Sequence, residues 1–111
     1  MPSIVTILDS SGVRQAFFRM ENAPMISYEL SPLKAYSALA FGAPTGEVAK
    51  NLPKDDPVLI SSLPNAPKIT LIGGGFPIVV AETLIGAIGA SGGTVEQDEE
   101  VAQAGFAGLN G

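Results

Sequence analysis

Ile69–Asp98 reads ITLIGGGFPIVVAETLIGAIGASGGTVEQD: three apolar runs, two dense glycine clusters and the start of a helix. The run Gly73-Gly74-Gly75 stands directly before Phe76-Pro77-Ile78. Glycine reaches positive φ without steric cost, so the extended chain bends there. The second cluster, Gly86 to Gly93, leaves one strand almost free of bulky side chains. A strand so bare invites close approach by another body, either a packed helix or a flat ligand. Thr94 and, three residues on, Gln97 form a capping box. Glu96 and Asp98 add negative charge in the first turn, where the helix dipole favours it. The spacing predicts strands at Ile69–Ile72, Phe76–Val80 and Leu84–Ala90, the last two joined through Ala81-Glu82-Thr83.

Working outward, Ile4, Val5, Ile7 and Leu8 form a β-branched run, and Asp9-Ser10-Ser11-Gly12 supplies turn residues. Val13 to Met20 completes a predicted hairpin, which Asn22-Ala23-Pro24 breaks. Ser27 or Ser31 caps the next helix, with Pro32 at its first position. Leu33, Tyr36, Ala40 and Phe41 mark an apolar stripe on that helix, and Gly42 stops it. Thr45 caps a second short helix ending near Lys50. Residues 51–67 hold four prolines and read as a long connection. Within it, Lys54-Asp55-Asp56 is a solvated tip and Val58–Leu63 a helical turn or an apolar lid. Val95, Val101, Ala102, Phe106 and Leu109 give the apolar side of the final helix. The order ββ, helices, βββ, helix describes one α+β domain over residues 1–111, its five strands mostly antiparallel and covered by helices.

Composition excludes several classes of function. Apolar residues make up 46% and charged residues 15% of the 111, which argues for a packed core. The net charge of −5, with no Lys or Arg after Lys68, is the opposite of a nucleic-acid footprint. Without cysteine there is no disulfide, thiolate nucleophile or Cys-ligated metal. Without histidine the commonest general base and metal ligand is gone. No run approaches the ~20 apolar residues that span a bilayer, and no signal peptide is visible. These features predict a soluble, cytoplasmic protein with no membrane or nucleic-acid partner.

Four ordered motifs carry a resemblance. Lys34-Ala35-Tyr36-Ser37-Ala38, Gly42-Ala43-Pro44-Thr45, Gly74-Gly75-Phe76-Pro77-Ile78 and Gly86 to Gly93 are followed by Glu96-Gln97-Asp98 and Ala104-Gly105. Together they resemble the GlcG/HbpS family of bacterial-type proteins, which includes the C-terminal domain of PduO-type proteins. The resemblance runs from about Ile4 to Leu109. It implies a profilin-like fold, with a five-stranded antiparallel sheet between helices in α/β/α layers, assembled as a homo-oligomer. It also implies a haem or related tetrapyrrole or corrinoid ligand. Members of the family typically begin with a long helix before the first strand, whereas this chain starts at that strand. The histidine that ligates haem in the PduO-like branch lies in that helix. In the HbpS-like branch a threonine before the Gly-Gly-x-Pro bend takes that part, and Thr70 stands nearest to it here. One covering layer is therefore expected to be incomplete, exposing a face supplied by Ile4, Leu8, Phe17 and Phe18, which self-association would bury.

The candidate cofactor-binding residues are Lys34, Thr70, Tyr28, Gly74 and Gly75. Lys34 can attract a propionate or other carboxylate as a point charge; the plainer reading is a solvated helix lysine. Tyr28 and Tyr36 can stack on or ligate a tetrapyrrole, and Met20 and Met25 are thioethers that more often fill core gaps. The Gly92-Gly93-Thr94 turn opens a helix that accommodates an anion, although Glu96, Asp98, Glu99 and Glu100 read as a solvated acidic face. Ser91 has no histidine to accept its proton, and no catalytic or metal-binding set emerges. Three readings remain: a non-catalytic haem-binding module, an accessory enzyme acting on a small organic acid, and a structural assembly subunit without ligand.

Overall fold

The computed structural model describes residues 2–51 and 69–110, with side chains through residue 105. The connection with its Lys54-Asp55-Asp56 tip and Val58–Leu63, together with the side chains of Phe106 and Leu109, lies outside the described residues.

Strands β1 (Ile4–Asp9) and β2 (Arg14–Arg19) form the predicted hairpin. Its turn is closed by Asp9, whose Oδ1 accepts the Ser11 and Val13 N–H groups at 2.9 and 3.0 Å. Helices α1 (Ser27–Phe41) and α2 (Thr45–Asn51) follow, then β3 (Gly75–Val80), β4 (Thr83–Ser91) and α3 (Val95–Asn110). The sheet is antiparallel throughout, in the order β2-β1-β4-β3. It has four strands among the described residues, not five. Ile69–Ile72 forms no strand; it runs as irregular chain into the glycine bend, pinned by side-chain hydrogen bonds to α1 and α2.

Residues alternate across the sheet, so each strand has two faces to bury. Ile4, Thr6 and Leu8 face α1 together with Gly89 and Gly75, whereas Ile88, Ala90 and Ile78 pack with Ala102 of α3. The layers are therefore helix, sheet, helix. α3 lies over β4 and β3, while Val5 and Ile7 are only partly buried and Phe18 is 61% exposed. Of the four residues expected to form an open face, only Phe18 is exposed. Ile4 and Leu8 are buried beneath α1, Phe17 stacks on Tyr28, and Phe18 is what protrudes.

Helix α1 departs from its predicted polarity. Its buried residues are Ser27, Ser31, Lys34, Ala35, Ser37 and Ala38, while Leu33 and Tyr36 are half-buried and Phe41 is 38% exposed. The glycine strand explains the inversion. A Cβ at Gly89 would fall on the Ser31 carbonyl oxygen and the Ala35 nitrogen, and one at Gly75 on the Lys34 carbonyl. The helix backbone thus lies directly on the sheet, and only small side chains fit between them. Of the two bodies that could approach the bare strand, the helix is the one that does.

The helix also starts earlier than predicted. Its N-cap is Ile26, with no side-chain cap, so Ser27 and Ser31 are internal and Pro32 lies inside the helix. Proline has no N–H, so the Tyr28 carbonyl loses its usual helical donor. Gly42 ends the helix in the left-handed region, at φ 65°, as expected. Among the described residues no helix is long and apolar enough to cross a membrane.

Gly89→Ala is expected to cost about 1–3 kcal/mol by overpacking α1 against β4. Thermal unfolding reads this as a lower midpoint, and an unchanged midpoint would show that the contact is slack.

Candidate functional site

The close seat of α1 carries a long side chain into the interior. Lys34 is 1% exposed, because its backbone is pressed onto Gly75 and its chain must run along the sheet. Its Nζ donates to the Ala90 carbonyl and to Asp98 Oδ2, both at 2.9 Å. Asp98, on the first turn of α3, also accepts the Gly93 N–H through Oδ1 at 2.9 Å. One buried ion pair thus joins α1, β4 and α3. The reading of Lys34 as a solvated helix lysine does not hold, and Asp98 is not part of a solvated acidic face: it is 3% exposed.

Around this pair the small polar residues of α1 are all engaged. Ser31 Oγ donates to the Gly89 carbonyl at 2.9 Å and shares a hydrogen bond of 2.8 Å with Thr6 Oγ1. Ser27 and Ser91 share one of 3.1 Å. Ser37 Oγ accepts the Thr70 N–H at 2.8 Å. Thr45, expected as a cap, instead clamps the glycine bend: it donates to the Ile72 carbonyl and accepts the Gly75 N–H, at 2.8 and 3.1 Å. The Thr94–Gln97 capping box forms as predicted, with reciprocal bonds of 3.0 and 3.1 Å.

The five candidate residues divide between the two sides of α1. Lys34, Gly74 and Gly75 come together on the inner side, buried beneath the helix. Thr70 lies nearby, with its hydroxyl accepting the Ile72 N–H at 3.3 Å. Tyr28 stands apart on the outer side, 47% exposed, its ring 5.6 Å from Phe17 and capped by the Arg19 guanidinium at 5.5 Å. Asp98 and the buried serines were not among the candidates. The spacing of Ser27, Ser31, Lys34, Ala35 and Ala38 held a signal, since these small and polar residues recur on one helical face.

Two cavities flank these groups. The larger, about 570 Å³, lies between the outer side of α1 and the β1–β2 hairpin. Leu8, Pro32, Leu33 and the two tyrosines, Tyr28 and Tyr36, wall it, and Arg14 stands at its edge. The smaller, about 160 Å³, lies where the start of α1 meets Ile72 and the start of α3, with Lys34 and Asp98 in its lining. Among the described residues no group of three or more acidic side chains is placed to hold a metal ion.

Over residues 1–107 the sequence matches the family described as haem degrading protein HbpS-like. It is 34% identical over 110 residues to the corrinoid adenosyltransferase PduO of Salmonella typhimurium, covering 99% of this chain and 33% of that relative. The chain thus spans about a third of the length of the PduO proteins it matches. It is 33% identical over 103 residues to an uncharacterised 15.0 kDa protein of the dhaT–dhaS intergenic region of Citrobacter freundii, covering 93% of this chain and 72% of that one. Among solved structures, a PduOC:haem complex superposes with a TM-score of 0.86 at 34% identity, covering 96% of this chain and 77% of that one.

Removing one partner of a buried ion pair strands the other charge. Lys34→Met and Asp98→Asn are each expected to cost about 3–5 kcal/mol, and the double substitution clearly less than their sum. Urea unfolding measures all three. Additive costs would mean that the two side chains are not coupled.

Proposed function

We propose that this chain, which belongs to the haem degrading protein HbpS-like family, is a non-catalytic module that binds haem or a related tetrapyrrole and works as a homo-oligomer. The observation that carries this reading is the family match over residues 1–107, together with likeness to a structure solved with haem.

The residues present fit such a group. The larger cavity, at about 570 Å³, is within the usual range of ~300–1,000 Å³ for small-molecule sites. Its walls are mainly apolar and aromatic, as a macrocycle requires; of the two charged residues in its lining, Arg14 supplies a cation for a propionate and Glu29 disfavours one beside it. A tyrosine phenol is one of the side chains that hold haem iron in proteins, and Tyr28 and Tyr36 both border this cavity. The cavity beside Lys34 is too small for a macrocycle. Tyr28 is accordingly assigned to the ligand. Lys34, Gly74 and Gly75 are assigned to the frame that seats α1, and Thr70 to the segment bordering that frame. A bound haem would supply redox chemistry at its iron. The chain contributes a shaped wall, a phenol and a guanidinium, and with neither histidine nor cysteine it has little with which to turn over a substrate.

Self-association rests on Phe18, which projects from the side of the sheet that α3 leaves open, next to the partly buried Val5 and Ile7.

A haemin titration followed by absorbance tests both parts. The wild type is expected to give a saturable Soret-type spectrum, and Tyr28→Ala and Arg14→Ala to weaken binding about tenfold or more. Thr70→Ala is expected to bind like the wild type. Light scattering on the same samples is expected to show a dimer or larger, and Phe18→Ser a smaller species. A featureless titration would remove the haem reading, and a monomer at micromolar concentration would remove the assembly.

A further inference from the structure

The smaller cavity carries more hydrogen-bond donors than its surroundings use. A lysine ammonium has three N–H donors, and two of those on Lys34 go to Ala90 and Asp98. Ser27 and Ser91 have two hydroxyl hydrogens between them and share a single bond. Both oxygens of Asp98 are engaged, one by Lys34 and the other by the Gly93 N–H. Each of these polar atoms has a partner, yet among the described residues one N–H and one O–H are left over by count, on residues that are 1% to 3% exposed and line the same cavity. Above them the walls are aliphatic, formed by Ile26, Leu30, Ile72 and Val95.

Buried donors are costly to leave without an acceptor. The Lys34–Asp98 pair is neutral as a unit, so the surplus does not call for a multiply charged anion. A single carboxylate offers two acceptor oxygens and a single negative charge, and an attached short alkyl group suits the aliphatic walls. At about 30 Å³ for each water-sized group, 160 Å³ holds about five heavy atoms. Propionate fits that space, and the exposed Ile26, Ile72 and Val95 leave the hollow open to solvent on its outer side.

We propose that this cavity is a carboxylate site, with Lys34, Ser27 and Ser91 as its donors, shaped for a short aliphatic monocarboxylate. The same chemistry could come from a free acid or from the carboxylate arm of a larger ligand. The site rests on a cavity distinct from the one bordered by Tyr28, and so stands or falls separately from the haem reading.

The test uses the full chain, labelled with nitrogen-15, and follows its backbone amides by NMR. Sodium propionate is titrated against sodium chloride at equal ionic strength. Propionate is expected to shift the amides of residues 91–95 in a saturable way, and chloride to leave them in place. The Ser27→Ala/Ser91→Ala variant is expected to bind about five- to tenfold more weakly, the effect of about one lost hydrogen bond. Lys34→Met, where it folds, is expected to abolish the response, and the serine variant keeps the test decisive where it does not. Haemin is then added at propionate saturation. Reversal of the shifts would identify a tetrapyrrole arm on the same floor, and persistence a separate free-acid site; either result upholds the carboxylate site. Three results overturn it: no saturable shift, an equal response to chloride, or full affinity in the serine variant. A Soret response without any propionate shift would leave the haem reading standing and remove this one.

Discussion

The structure depends on how closely α1 lies against β4. Backbone meets backbone at Gly75 and Gly89, so the helix cannot use large apolar side chains to bind the sheet. It uses alanines, serines and one lysine, and the serines and the lysine each have a defined hydrogen-bond partner. Hydrogen bonds are directional in a way that apolar contact is not, so this interface specifies position as well as adhesion. The Lys34–Asp98 pair extends that specification through the sheet layer to α3. Burying two charges yields little net stability, but separating them is expensive. The pair therefore acts chiefly against misplacement of the two helices.

Much of this frame was legible in the sequence. The β1–β2 hairpin, the glycine bend, the stop at Gly42 and the capping box at Thr94 depend on local chemistry, and local chemistry is what a sequence displays. The glycine-rich strand announced a close neighbour. What was hidden had non-local causes. Ile69–Ile72 carries β-propensity, yet its backbone groups are taken by Ser37 and Thr45, which are remote in sequence. The stripe of Leu33, Tyr36, Ala40 and Phe41 looked like a core face because apolar residues usually are one, and the glycines reversed that expectation. Asp98 looked like one acidic residue among several at a helix start. Only its fold-level neighbour, 64 positions away, makes it different.

The candidate site was legible only in part, for the same reason. Lys34 and the glycines were singled out from motif resemblance, and the structure gathers them into one buried cluster. Tyr28 is on the opposite side of the same helix, so the five residues do not form one site. α1 instead separates two environments: an aromatic hollow beside the hairpin, and a small donor-rich hollow above the ion pair. A single rigid helix, fixed by its contact with the sheet, sets the shape of both.

The β3–β4 hairpin turns through Ala81 and Glu82, both in the left-handed region at φ 50° and 66°. Residues with a Cβ occupy that region at an energetic cost, and here no glycine or asparagine relieves it. The tip is therefore held in place by the pairing of its strands and not by its own preference. It stands at the end of the hairpin away from the Gly75–Gly89 pairing on which α1 rests. That makes it a natural port for engineering: a reporter peptide or a fluorophore spliced between Ala81 and Glu82 would relax a strained bend while leaving the helical frame intact.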